Sequence, residues 1–305
     1  MKTVLIEMDG RLGNQMFLYA FYKKMCIQYP DIHFKVDIST VYQKKYDGGL
    51  ELSYVFPNLK IEKASFGEIL KIEKKLTFKY RGKGSRILRE VTDNINSKRR
   101  KKITESILTD SNICVSKLQD LKAKEWENIR FFSGFWQNIS LYKDLISELQ
   151  QDFSFREMDE AKDLKINNQI SKSHSVSVHI RRGDYVGETL DILTVEYYKK
   201  IISNILEEIP DATLFFFSDD IEYIEKNFGD VKKVIVSENR NDFTNFRDLQ
   251  LMSLCEYNVI ANSTFSLWAA LLNSNPNKKV YYPSKFTKEE EFLLNGEVLR
   301  FYTDK

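Results

Sequence analysis

Short apolar runs alternating with helix-like stretches through the second half of the chain constrain its fold more than any other feature. Val176–Ile180, Thr213–Phe217, Lys233–Val236, Asn258–Ala261 and Lys279–Tyr282 have strand length and are rich in β-branched or aromatic residues. Between them, Val195–Glu208, Ile221–Phe228, Phe246–Glu256 and Phe265–Asn273 carry helical patterns. Strand and helix alternating at this rhythm imply a parallel sheet with helices on both faces.

The first half opens the same way. Val4–Met8 reads as a buried strand that breaks at Asp9-Gly10-Arg11-Leu12-Gly13-Asn14 and continues as an apolar helix from Gln15 to Met25. A second strand is expected at Phe34–Asp37, and another, with an aromatic exit, at Ile129–Gln137; a helix-like stretch, Leu141–Phe153, follows it. Ser65–Glu127 is highly charged and loosely patterned, and is expected to supply helices and loops peculiar to this protein. The expected product is an α/β chain of two nucleotide-fold-like domains, 1–160 and 161–305, meeting near residues 155–172. A length of 305 residues accommodates two domains of ordinary size.

Composition narrows the function classes. With 42% hydrophobic and 30% charged residues the chain is of globular type, and its net charge of +2 gives no general attraction for nucleic acid. The apolar stretch after Met1 is too short and interrupted for a secretory signal, and no run approaches the ~18–20 apolar residues of a membrane span. Cys26, Cys114 and Cys255 lack metal-type spacing and make a disulfide framework unexpected. These features point to the cytoplasm. The basic run Ser97–Lys102 reads as a solvated helix face, with anionic lipid headgroups or a lipid-linked diphosphate as a minor alternative that would place the chain at the inner face of the membrane.

In open α/β sheets ligands bind beyond the carboxyl ends of the strands, and four polar segments occupy such positions. In Ser177–Tyr185, Val178 and Ile180 share the core face of a half-buried strand. Ser177, His179 and Arg181 share the other, the last two about 7 Å apart. A guanidinium there forks onto phosphate oxygens and stays charged at any working pH. Arg182 projects to the opposite face and reads as an ion-paired structural residue. At Asn262–Ser266 a strand leads into a helix whose N–H groups, with the Ser263 and Thr264 hydroxyls, would seat a phosphate; alternatively Asn262 or Ser263 only caps the helix. Ser218-Asp219-Asp220 has the carboxylates for a divalent cation, but capping by Ser218 or Asp219 is the favoured reading, and no other carboxylate spacing completes a metal shell. Gly10–Gln15 lacks both a dinucleotide fingerprint and a P-loop lysine; its glycines permit close approach by a ligand, and Asn14 offers a donor and an acceptor.

Taken together, Gly10–Phe17, His179–Tyr185, Asp248–Cys255 and Ile260–Ser266 resemble, in order and spacing, the motifs of family 11 glycosyltransferases, the bacterial and animal α-1,2-fucosyltransferases. Leu267 departs from the pattern, since many members have two aromatic residues there. The His-Arg-Arg motif is shared with α-1,6- and protein O-fucosyltransferases, so it marks GDP-fucose use more surely than linkage. The resemblance implies a GT-B-like fold of two Rossmann-like domains facing a cleft. It also implies inverting transfer of L-fucose from GDP-β-L-fucose, without a metal, to a terminal β-galactoside of a surface or lipid-linked glycan.

By motif matching, Arg181 is similar to the arginine that binds the β-phosphate, and His179 and Asp248 to the guanosine-side contacts. Ser263, Thr264 and Phe265 are similar to the diphosphate loop, and Asn14, beside Gly13, to the asparagine that reaches the sugar diphosphate. Asp184 is the chosen base among Asp184, Glu188, Asp191 and Asp9, although it equally suits fixing the Arg181 turn, and direct displacement with late proton transfer is also allowed. Phe131, Phe132, Phe135 and Trp136 form either core or a sugar-stacking face. Rival readings are a fucosyltransferase of another linkage and a non-catalytic nucleotide-sugar or glycan-binding protein.

Overall fold

The computed structural model describes residues 2–43, 49–69, 107–109, 129–237, 240–241, 244–286 and 301–302. The basic run, Cys114 and nearly all of the loosely patterned segment lie outside the described residues. The chain divides into two compact units: Met1–Leu50 with Lys60–Gln137, and Glu51–Leu59 with Asn138–Lys305.

The first unit contains β1 (Lys2–Glu7), α1 (Leu12–Gln28), β2 (Ile32–Asp37), α2 (Ser39–Gln43), β3 (Ile107–Thr109) and β4 (Phe131–Ser133). Its sheet has the order β2-β1-β4-β3, with every pairing parallel. Most of the first half of α1 is buried, from Leu12 and Met16 to Phe21, so this helix is core on more than one face. It ends at Gln28 because Pro30 forbids continuation and restricts Tyr29 before it.

The expected strand Ile129–Gln137 shortens to three residues. Gly134 (φ 119°) and Trp136 (φ 52°) lie in the positive-φ region and turn the chain out of the sheet. Trp136 stacks on Phe21 at 4.1 Å between centroids, and Phe132 meets both rings edge-on, so Phe132 and Trp136 are core. Phe131 and Phe135 are half-buried.

The second unit contains α3 (Leu52–Val55), a 3-10 turn (Ile139–Leu145), α4 (Ile146–Asp152), α5 (Ala161–Ile170), β5 (Ser175–Ile180), α6 (Val195–Glu208), β6 (Thr213–Ser218), α7 (Ile221–Asn227), β7 (Lys233–Ile235), α8 (Phe246–Leu254), β8 (Tyr257–Val259), α9 (Thr264–Leu272), β9 (Lys279–Tyr281) and β10 (Phe301–Tyr302). The sheet runs β10-β9-β8-β5-β6-β7, again wholly parallel. Helix α6 shows the cause of one layer plainly. Tyr197, Tyr198, Ile201, Ile202 and Ile205 fall on one face and are buried with Val178 and Phe216 of the sheet. Thr194 caps its start by accepting from Tyr197 N, and the chain leaves it at Ile209, before Pro210.

Two expectations change here. The division falls at 137/138 rather than 160/161, because Phe153 packs edge-on against Trp268 of α9 and Gln150 Nε2 donates to Leu271 O at 2.7 Å. Residues 138–155 are therefore part of the second unit's core. Strand β5 is buried along its whole length instead of half-buried. Its polar residues are tolerated inside because they are bonded: Ser177 Oγ accepts from Asn258 Nδ2 at 2.8 Å and Ser175 Oγ from Glu256 N at 3.0 Å. Among the described residues no helix is long and apolar enough to cross a membrane.

Candidate active site

From β5 the chain steps through β6 and β7 in one direction, whereas β8, β9 and β10 step in the other. The order therefore reverses between β5 and β8, and open α/β sheets bind ligands at such a reversal. Their exits are the segments Arg181–Asp184 and Ile260–Thr264. The two are tied together, since Tyr185 Oη donates to Asn262 O at 3.3 Å and Tyr197 Oη to Ile260 O at 3.3 Å.

Arg181 is held from two sides. Its Nε and Nη2 donate to Asp184 Oδ1 at 3.0 and 2.7 Å, and Nη1 lies 2.7 Å from Asp219 Oδ2. Asp219 Oδ1 also accepts from Arg182 N at 2.8 Å, locking the turn that carries the guanidinium. Gly183 makes this possible: a Cβ there would lie 2.7 Å from Asp219 Oδ2. The favoured reading of Ser218 or Asp219 as the cap changes: Asp219 is engaged by the Arg181 turn, and the N-cap of α7 is Asp220, whose carboxylate accepts from Tyr223 N at 2.9 Å. Arg182 is ion-paired as expected, 3.5 Å from Asp220 Oδ2 and over the Tyr223 ring. Among the described residues no group of three or more His, Cys, Asp or Glu is placed to hold a metal ion.

Ser263 is the N-cap of α9, accepting from Phe265 N at 3.3 Å, and Thr264 is the first helical residue. The capping reading holds for Ser263 and leaves room for a phosphate, because a cap satisfies one N–H while the rest of the first turn keeps its positive dipole end. Phe265 lies against His179, 5.9 Å between ring centroids. His179 is buried, and its Nδ1 has no hydrogen-bond partner among the described residues. Burial, reinforced by the Arg181 charge, pulls its pKa down to about 4.

A depressed histidine stabilises the fold fully above the unfolded value near 6.5, and that contribution is lost as pH falls towards 4. Chemical denaturation between pH 7 and pH 4 should show a pH-dependent loss approaching roughly 3 kcal/mol that is missing in His179→Asn. An equal slope in the variant would remove this assignment.

Asp248 sits apart from these groups, on α8 in the same unit. Its Oδ2 accepts from Ser237 Oγ at 2.5 Å and its Oδ1 from Arg240 Nε at 2.8 Å. Ser237 Oγ in turn accepts from Ser218 N at 3.0 Å, joining Asp248 to the exit of β6. Arg240 also forks onto Asp163 of α5 at 2.6 and 3.2 Å. Nothing in the sequence singles out Asp163, Arg240 or Ser237. No strand exit flags Asp163, which lies in a helix near the expected domain boundary.

Gly13 and Asn14 belong to the first unit. Asn14 Oδ1 accepts from Gln137 Nε2 at 2.9 Å, and buried Gln15 donates to the carbonyls of Gly10 and Gly49. Gly10 has φ +78°, and a Cβ on it would meet Asn14 Nδ2 at 2.5 Å, so the tight start of α1 depends on that glycine. Buried Glu7, at the end of β1, accepts from the hydroxyls of Thr40 and Ser133 at 2.7 and 2.6 Å.

The model of Glycosyl transferase family 11 matches residues 3–298, so the chain belongs to that family. Over 173 residues it is 36% identical to an alpha-1,2-colitosyltransferase of Escherichia coli, covering 52% of this chain and 57% of that protein. Over 131 residues it is 34% identical to the O-antigen biosynthesis glycosyltransferase WbnK of Escherichia coli, covering 41% and 43%. The chain thus spans about half the length of these relatives. Among solved structures, FUT1 of Arabidopsis thaliana with GDP matches at TM-score 0.53 and 13% identity, over 94% of this chain and 71% of that one. Fucosyltransferase NodZ of Bradyrhizobium matches at 0.52 and 13%, over 89% and 94%. These likenesses give the fold, an α/β architecture of GT-B-like type with parallel sheets.

Proposed function

We propose that the protein is an inverting α-1,2-fucosyltransferase that moves L-fucose from GDP-β-L-fucose to the 2-hydroxyl of a terminal β-galactoside in a surface glycan. The observation that carries this reading is the fixed Arg181 guanidinium at the exit of β5, on the side of the sheet's topological reversal where Tyr185 and His179 meet the loop that begins α9. Breaking the bond between fucosyl C1 and the β-phosphate oxygen builds oxocarbenium character on the sugar and negative charge on GDP. A guanidinium already oriented by Asp184 and Asp219, with a helix N-terminus, stabilises that charge without reorganising. The acceptor oxygen forms the new bond to C1 from the opposite face and releases its proton.

Asp184 Oδ1 receives both Nε and Nη2 of Arg181, so in this reading Asp184 is a positioning residue. Late proton transfer to solvent then suffices. Ser263, Thr264 and Phe265 line the diphosphate, and His179 and Asp248 serve the guanosine side. Asn14 and Gly13 enter through the motif resemblance. The relative named as a colitosyltransferase supports a second reading, in which colitose replaces fucose.

The test is incubation with GDP-fucose and lactose, with and without EDTA, followed by NMR of the product. The expected product is Fucα1-2Gal, formed equally with EDTA. Hydrolysis without transfer, a different linkage, preference for a colitosyl donor, or loss of activity with EDTA would each contradict a stated part of the reading.

A further inference from the structure

We propose that Arg240 is the positioning residue for recognition of the nucleotide base: pinned by Asp163, it fixes the Asp248 carboxylate to accept two N–H groups from the edge of a guanine. The proposal rests on the reading of the donor as a GDP-sugar. Asp163 is fully buried, and the Arg240 and Asp248 side chains are each only about a tenth exposed. Ion pairs buried this deeply gain little net stability over apolar packing, so what this network supplies is geometry more than stability.

The geometry is specific. Arg240 bridges α5 and α8, with Nη1 and Nη2 on Asp163 and Nε on Asp248. Ser237 holds the second oxygen of Asp248, so a protein donor fixes the orientation of each carboxylate oxygen. An ionised carboxylate has about four acceptor sites, so two such donors leave capacity for a ligand. Guanine presents adjacent N1–H and N2–H donors to such a group. Adenine presents an acceptor at N1, which the carboxylate repels. The charged groups around Asp248 among the described residues are Arg240, Asp163 and Arg247, the last with Nε 4.0 Å from Asp163 Oδ2. Arg247 is occupied by the carbonyls of Arg156 and Glu157 and by Asp159 and Gln250. Burial, with a smaller push from Asp163, holds the Asp248 carboxyl above its usual range, and Arg240 and Ser237 oppose that rise in part.

Calorimetric titration of GDP and inosine diphosphate into the wild type, Arg240→Lys, Arg240→Met and Ser237→Ala, at pH 6.5 and 8.5, tests this. Arg240→Met is expected to weaken GDP binding by about 10-fold or more at pH 6.5, the scale of a hydrogen bond to a charged group. Part of that loss should return at pH 8.5, and the wild-type preference for GDP over inosine diphosphate should shrink. Arg240→Lys should restore most of the affinity, and kcat at saturating donor should change far less than KM. Wild-type GDP affinity and pH profile in Arg240→Met overturn the proposal. Should that variant fail to fold, Ser237→Ala, which leaves the ion pairs intact, must still weaken GDP by at least about 3-fold, and unchanged affinity there overturns the proposal too. A wild type that does not bind GDP sinks the donor reading together with this one. A wild type that binds GDP, with unaffected variants, sinks this one alone.

Discussion

Arg181→Ala is expected to lower kcat for fucosyl transfer by at least ~10²–10³-fold, the usual cost of losing one preorganised donor to developing negative charge. The effect should fall on turnover while the fold survives, because the Arg181 side chain is about a fifth exposed and its partner Asp184 is more than half exposed. Arg181→Lys keeps the charge but cannot span Asp184 and Asp219 in a planar fork, so it should recover only part of the rate. Steady-state kinetics with GDP-fucose and lactose, alongside thermal melts, separate the two effects. Wild-type turnover in a folded Arg181→Ala protein would strip the residue of its role.

Asp163→Ala is expected to be the most destabilising single change of a charged residue described here. It removes a fully buried carboxylate that holds Arg240, whose side chain is about a tenth exposed, and lies 4.0 Å from Arg247 Nε. Breaking a buried pair typically costs about 3–5 kcal/mol; because Arg240 keeps Asp248 as a partner, the expected loss lies at the lower end, about 3 kcal/mol. Glu208→Gln supplies the contrast, since Glu208 pairs with Lys279 at the surface with half its side chain in water. That pair should be worth no more than about 1 kcal/mol. Denaturant unfolding of the wild type and the two variants decides the matter, and equal loss in both variants would contradict the reading.

The elements around Arg181 are legible in the sequence for a physical reason. Strands β5, β6 and β8 are short, with loops of Gly, Asp, Asn and Ser at their ends, and α6, between β5 and β6, carries a 3.6-residue apolar stripe. Motif spacing then puts Arg181, His179, Ser263 and Phe265 near one another, and the structure joins them through Tyr185 and the β5–β8 pairing. What escapes is side-chain partnership across long separations. Asp219 reaches Arg181 from a different strand exit, and Asp163 lies 77 residues from Arg240. Neither pairing leaves a local pattern, because the residues meet only once the sheet order is set. The boundary at 137/138 is hidden for the same cause: Phe153 and Gln150 reveal their allegiance only by contact with Trp268 and Leu271.

Determination of the structure with GDP bound tests most directly how the departing nucleotide is received. The β-phosphate should accept hydrogen bonds from the Arg181 guanidinium and from backbone N–H groups in the first turn of α9. Phosphates seated elsewhere, with Arg181 still engaged only by Asp184 and Asp219, would contradict it.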